Sequence, residues 1–208
     1  MENTPDPSRK NQVFDTHSLE AFFKGYCESL QKALANTDTT ALGRVCEIIE
    51  TAGKNDAHIY AIGNGGSAAI ADHLCCDWTK STDAEGQKPI ATHSLSSNVP
   101  LYSAIANDFG FDSVFSRQIS YFGKPGDVLL AISSSGNSAN IIQAVEQART
   151  IGMRVIGLTG FSGGRLKDLS DVCLHVAVAN YGVVEDAHQA LMHVIAQFIT
   201  AKRLSGKS

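Results

Sequence analysis

No run of lysine or arginine occurs in this chain, and acidic residues outnumber basic ones, 21 to 17, for a formal charge of -4. Nucleic-acid binders carry a basic patch or stripe, so no nucleic-acid partner is expected. No stretch approaches the roughly 18 consecutive apolar residues of a membrane-spanning helix, so no membrane partner is expected either. The phosphate-cradling pattern GxxxxGK[ST] is missing. GxGxxG is missing too, because Gly63-x-Gly65-Gly66 lacks the third spacing. Both absences disfavour a nucleotide ligand. The five cysteines follow no CxxC or CxxH spacing. An odd number without such spacing predicts free thiols in a reducing compartment. Adjacent Cys75 and Cys76 would point about 100° apart on a helix, and both are expected to be small core residues. Charged residues make up 18% of the chain, below the roughly 25% of typical domains. That shortage suggests surface covered by other subunits. Residues 1–13 are polar and lack the apolar centre of a secretion leader. They read as a disordered tail, and the protein is expected to be cytoplasmic.

What is present organises as one domain over residues 14–205. Apolar residues recur at helical spacing over 14–36 and, after a turn and cap at Thr37-Asp38-Thr39, again from Leu42 to about Gly53. These two helices form an N-terminal α-hairpin. An apolar run from Ala57 to Ile62 then reads as a strand. A glycine turn, Gly63–Ser67, and a helix from Ala68 follow. Further strands are expected at about Pro89–His93, Asp127–Ile132, Arg154–Leu158 and Val172–Val178. Helices are expected at Val99–Ala106, Phe111–Phe122, Ala139–Ile151, Leu166–Leu169 and Val183 to about Arg203. The last helix is broadly apolar, which implies burial, with another subunit as the expected cover. Alternation of strand and helix with continuously apolar strands predicts an α/β fold, a parallel sheet sandwiched by helices. Ligands of such sheets sit at the carboxyl ends of the strands. Gly63–Ser67, Ser94–Asn98, Ser133–Ser138 and Thr159–Gly164 all follow strands and should gather there.

Ser133-Ser134-Ser135-Gly136-Asn137-Ser138 is the most informative polar cluster. Hydroxyls and free amides at a strand-to-helix turn can surround a phosphate without a lysine, because the helix terminus supplies the positive end. The bland alternative is a serine-rich turn that only caps a helix. Gly63–Ser67 is a weaker signal and reads as a second substrate contact beside it. His73 and Asp77 are four residues apart and share a helix face. Glu185, Gln189 and His193 form a polar stripe on the last helix, with Asp186 and His188 nearby. A buried polar stripe needs partners, and the His73/Asp77 face is the obvious one. Two carboxylates and two imidazoles suit acid–base catalysis or a Zn²⁺ site. The alternative is a structural polar network between helices.

The order GNGGS, a histidine six positions after its serine, NDFGF, ISSSGNSAN and a long last helix bearing a histidine resembles the sedoheptulose 7-phosphate (phosphoheptose) isomerases of the sugar isomerase, or SIS, fold. The resemblance spans about residues 15–203. It implies a SIS-type, flavodoxin-like sheet and an aldose–ketose isomerase of a phosphosugar. It also implies a homotetramer with shared active sites and, in several members, Zn²⁺. By resemblance, Asn64, Gly65, Gly66 and Ser67 face the sugar, and Asn107 and Asp108 meet the substrate. Ser133, Ser134, Ser135 and Ser138 hold the phosphate. His73, Asp77, Glu185 and His193 would serve as metal ligands, with Asp77, Glu185 and His193 as catalytic groups. Two positions depart from the family pattern, which has Glu at position 77 and Gln at 185. Asp77 is shorter by one methylene, about 1.5 Å, and Glu185 adds a negative charge. Lys80 also matches poorly the arginine often found there. A non-catalytic relative that binds a phosphosugar, or a protein such as a replication initiator, is the alternative reading.

Overall fold

The structure is a computed structural model that describes residues 11–84 and 87–206. Most of the expected tail, 1–10, therefore lies outside the described residues. Residues 11 and 12 are tied to the chain, since Asn11 accepts from the Tyr181 N–H and the Gln12 carbonyl accepts from the Asn180 amide. Helices α1 (Leu19–Ala35) and α2 (Thr39–Lys54) come first, capped by the side chains of Ser18 and Asp38. Alternation then sets in: β1 (Ile59–Gly63), α3 (Gly66–Ser81), β2 (Thr92–Ser94), α4 (Val99–Phe109), α5 (Ser116–Phe122), β3 (Val128–Ser133), α6 (Ala139–Ile151), β4 (Arg154–Thr159), α7 (Gly164–Leu169), β5 (Val172–His175) and α8 (Tyr181–Leu204).

The five strands of the described residues are all parallel, in the order β2-β1-β3-β4-β5. This is the flavodoxin-like order, which reverses at β1/β3. Every residue of β1 and β3 is buried, as continuous apolar runs require when helices cover both faces. One apolar layer joins the sheet to α1, α2, α3 and α8, and the other joins it to α4, α5 and α6. Trp78 of α3, itself buried, donates its indole N–H to the Met192 carbonyl at 3.2 Å and sets the approach of α3 to α8.

Several expected boundaries move. The second strand lies at Thr92–Ser94 rather than Pro89–His93, and the last ends at His175. Phe111–Phe122 is not one helix. Gly110, at φ +85, ends α4 and a single 3-10 turn, Phe111–Ser113, leads to α5. Val114 and Phe115, between this turn and α5, are both fully buried. Cys75 is half-buried but Cys76 is exposed, against the expectation that both are core. The outer face of α8 is open in the single chain, with Val194 50% and Phe198 55% exposed. No helix among the described residues is long and apolar enough to cross a membrane.

Candidate active site

Two strand-to-helix turns meet where the strand order reverses. After β1 the chain doubles back sharply, and a Cβ on Gly63 would sit 2.4 Å from the Ser67 carbonyl oxygen. Gly65, at φ +55, then opens α3 without a side-chain cap. After β3, Gly136 takes φ +65 and packs so tightly on the next turn that its Cβ would lie 1.9 Å from the Gly163 carbonyl oxygen. The Ser133 hydroxyl accepts the Gly136 N–H at 3.1 Å. Helix α6 also starts without a side-chain cap. Two helix N-termini with no side chain of their own upon them thus flank one cavity.

That cavity, of about 140 Å³, is lined by Asn64 and Ser67 of the first turn, Ser133, Ser134, Ser135 and Ser138 of the second, and Tyr181 and Glu185 of α8. The Ser134 hydroxyl is buried and, among the described residues, has no hydrogen-bond partner. A buried hydroxyl left so is costly unless a ligand satisfies it. Asn64 and Asn140 bridge the two turns through paired amide hydrogen bonds of 2.9 Å. Asn140 was not singled out from the sequence; its only signal was its place in the first turn after the serine cluster.

Glu185 faces this cavity. A Cβ on Gly66 would come within 2.3 Å of its Oε2, so only glycine lets the carboxylate rest at the start of α3. Burial, and then the charge of Asp186, push the Glu185 carboxyl above its ordinary value.

A second cluster lies further along the same two helices. Asp77 Oδ2 is 3.3 Å from His193 Nε2 and 3.5 Å from His73 Nε2. Gln189 Nε2 is 2.9 Å from His73 Nδ1 and 3.3 Å from His193 Nε2. His73, Asp77 and His193 offer donor atoms all within 4.8 Å of one another, a set that could hold a metal ion. The α3 face and the α8 stripe do converge, but they divide the expected residues. Gln189 joins the cluster, while Glu185 stands one turn away with the serine turn. Asp186 and His188 point elsewhere. Asp186 accepts the Tyr26 hydroxyl at 2.5 Å, and His188 reaches the Thr159 carbonyl. Asn107 and Asp108 do not line the serine cavity. They pair with each other at 2.8 Å on the exposed end of α4.

Residues 22–160 match one SIS domain model and residues 120–201 a second. The chain is 39% identical to the phosphoheptose isomerase of Rhodospirillum rubrum, over 76% of this chain and 82% of that protein. It is 37% identical to the probable phosphoheptose isomerase of Thermoplasma acidophilum, over 86% and 98%. The chain belongs to the phosphoheptose isomerase family of SIS-domain proteins. Its fold superposes on the solved phosphoheptose isomerase of Neisseria gonorrhoeae with a TM-score of 0.80 at 35% identity, covering 88% of this chain and 97% of that one.

Proposed function

We propose that this chain is an aldose–ketose isomerase that interconverts sedoheptulose 7-phosphate and glycero-manno-heptose 7-phosphate, a step of heptose biosynthesis. Membership of the phosphoheptose isomerase family supports this reading. The observation that carries it is the buried, unpartnered Ser134 hydroxyl at the head of two helix N-termini, with the Glu185 carboxylate in the same cavity. The phosphate is held by Ser133, Ser134, Ser135, Ser138 and the first amides of α6, and Asn64, Gly65, Gly66 and Ser67 bound the sugar. Glu185 removes a proton from the carbon beside the carbonyl, an enediol forms, and the proton returns to the neighbouring carbon. No electrons leave the substrate. Glu185 suits this better than Asp77 because its raised pKa brings it closer to neutrality, and Asp77 already faces two imidazoles. The carbonyl oxygen gains a proton as the enediol forms, and the neighbouring hydroxyl loses one as the new carbonyl forms; His193 of a neighbouring copy exchanges these protons where no ion occupies it, since in its own chain it stands about two helical turns from Glu185.

Two imidazoles and a carboxylate are the donor set Zn²⁺ prefers. His73, Asp77 and His193 would hold that ion, with Gln189 beside them. Bound there, a divalent ion would supply Lewis-acid polarisation of a substrate oxygen. The working form is a homotetramer with shared active sites. Exposed Val194 and Phe198 on α8, and Leu19 and Phe23 on α1, support apolar contacts between subunits. Asn107 and Asp108 would then reach the substrate from a neighbouring copy.

The test is a panel of five-, six- and seven-carbon ketose phosphates, followed by NMR for exchange of the carbon-bound proton with solvent. Exchange with the seven-carbon compound, lost in Glu185→Gln, is the expected result. Binding without exchange on any member would overturn the enzyme reading in favour of a non-catalytic phosphosugar binder.

A further inference from the structure

His188, on α8 between the two clusters, is fully buried. Its Nε2 is 3.1 Å from the Thr159 carbonyl oxygen, at the end of β4. Because that partner is an acceptor, Nε2 carries the ring proton and donates. The other nitrogen, Nδ1, is buried with no partner among the described residues, so the ring is neutral. Burial agrees, holding the imidazole pKa down at about 4.

The peptide unit that His188 grips has a second side. Its N–H belongs to Gly160 and donates to the Ser134 carbonyl at 2.8 Å. One amide therefore joins His188 to Ser134, whose buried hydroxyl lines the serine cavity. The amide has little room to tilt. A Cβ on Gly160 would lie 2.6 Å from the Val184 methyls and 3.1 Å from the Ser134 carbonyl oxygen. Hydrogen bonds in such a chain also polarise one another.

We propose that His188 is a positioning residue for the phosphate-holding serine turn, acting through the Thr159–Gly160 peptide. The inference rests on the reading of that turn as the phosphate site. Among the described residues, a hydrocarbon at position 188 leaves the Thr159 carbonyl with the Val176 N–H alone, 2.8 Å away, and removes one of the bonds that fix the peptide behind Ser134.

The test compares the full-length parent with His188→Leu, which removes the donor, and His188→Gln, which keeps an N–H at the reach of Nε2. Affinity for inorganic phosphate and KM for the phosphosugar are measured with kcat, and folding is monitored by circular dichroism. His188→Leu should weaken phosphate and raise KM about five- to ten-fold, the worth of one hydrogen bond, with kcat nearly kept. His188→Gln should recover most of the loss. If the leucine variant does not fold, His188→Asn takes its place with the same expectation, because its amide stops short of the Thr159 carbonyl. A folded leucine or asparagine variant that binds phosphate like the parent would overturn the inference and leave the site reading intact. So would a glutamine variant as weak as the leucine one. A parent that binds neither phosphate nor phosphosugar would overturn the site reading, and this inference with it.

Discussion

Asn64 and Asn140 exchange two amide hydrogen bonds of 2.9 Å across the point where the strand order reverses. One belongs to the turn after β1, the other to the first turn of α6, and the chain between them is 76 residues apart. Their pairing closes one wall of the serine cavity and sets the spacing of the two helix N-termini. Each amide keeps one further donor and one further acceptor site, so Asn64 can still meet a ligand.

Removing half of that pair should loosen the site. Asn140→Ala is expected to cost about 1–3 kcal/mol of stability, because Asn140 is buried and its partner is left with unmet groups. Urea denaturation measures it. A double-mutant cycle with Asn64→Ala should return a coupling of roughly 0.5–3 kcal/mol. Additive losses would show that the two turns are held apart by something else.

Gly66→Ala tests the seat of Glu185. The added methyl would meet the end of a flexible side chain at 2.3 Å, so the carboxylate should swing out rather than the backbone yield. Turnover is expected to fall at least ten-fold, with stability changed by less than about 1 kcal/mol. Unchanged turnover would dissociate that seat from catalysis.

The Glu185 carboxyl is raised by burial and by Asp186, so its folded form binds a proton more readily than the unfolded chain does. The stability it contributes is present below the ordinary carboxylate value and lost as pH rises through the folded one. Glu185→Gln should therefore be more stable than the parent at neutral pH, and the gap should close on acidification. Melting temperatures at pH 7 and pH 4 show this directly, alongside the expected loss of isomerisation.

A divalent ion that binds His73, Asp77 and His193 stabilises the folded chain by mass action, about 2.7 kcal/mol at ~100 times Kd. Zinc titrated into chelator-treated protein should raise Tm, and His193→Ala or Asp77→Ala should abolish the rise. Glu185→Gln should reduce it less, since Glu185 stands outside the close donor set. An equal rise in all variants would mean the ion sits elsewhere.

His188 adds a pH dependence of opposite sign. Burial lowers its pKa from 6.5 to about 4, against the Thr159 hydrogen bond, which raises it. The unfolded chain then binds more protons in that window. Its contribution to stability is full above the ordinary value and falls away as pH drops toward 4. Acid unfolding between these limits should flatten in His188→Gln, which has nothing to titrate.

Much of this was legible before any coordinates. Continuous apolar runs such as VLLAIS cannot be solvated, so they had to become buried parallel strands. The serine cluster was readable because several hydroxyls and a glycine at a strand-to-helix turn are more than one helix cap needs. Element edges were less secure. The shift to Thr92–Ser94 reflects pairing with β1, a partner 33 residues away in sequence that local pattern does not register. The break within Phe111–Phe122 is a 3-10 turn, Phe111–Ser113, ahead of α5, and the apolar pattern does not announce it.

The sequence by itself determined the alternation, the parallel sheet, the serine turn and the two polar helix faces, because each follows from periodicity or local chemistry. Tertiary structure alone decided how the polar residues divide. On the α8 stripe, Glu185 and His193 differ by eight residues, about two helical turns or 12 Å along the axis. That distance carries Glu185 to the start of α3 and His193 to Asp77, so one helix serves two clusters. Asn140 and His188 acquired their partners the same way, through chain segments that only the folded sheet brings together.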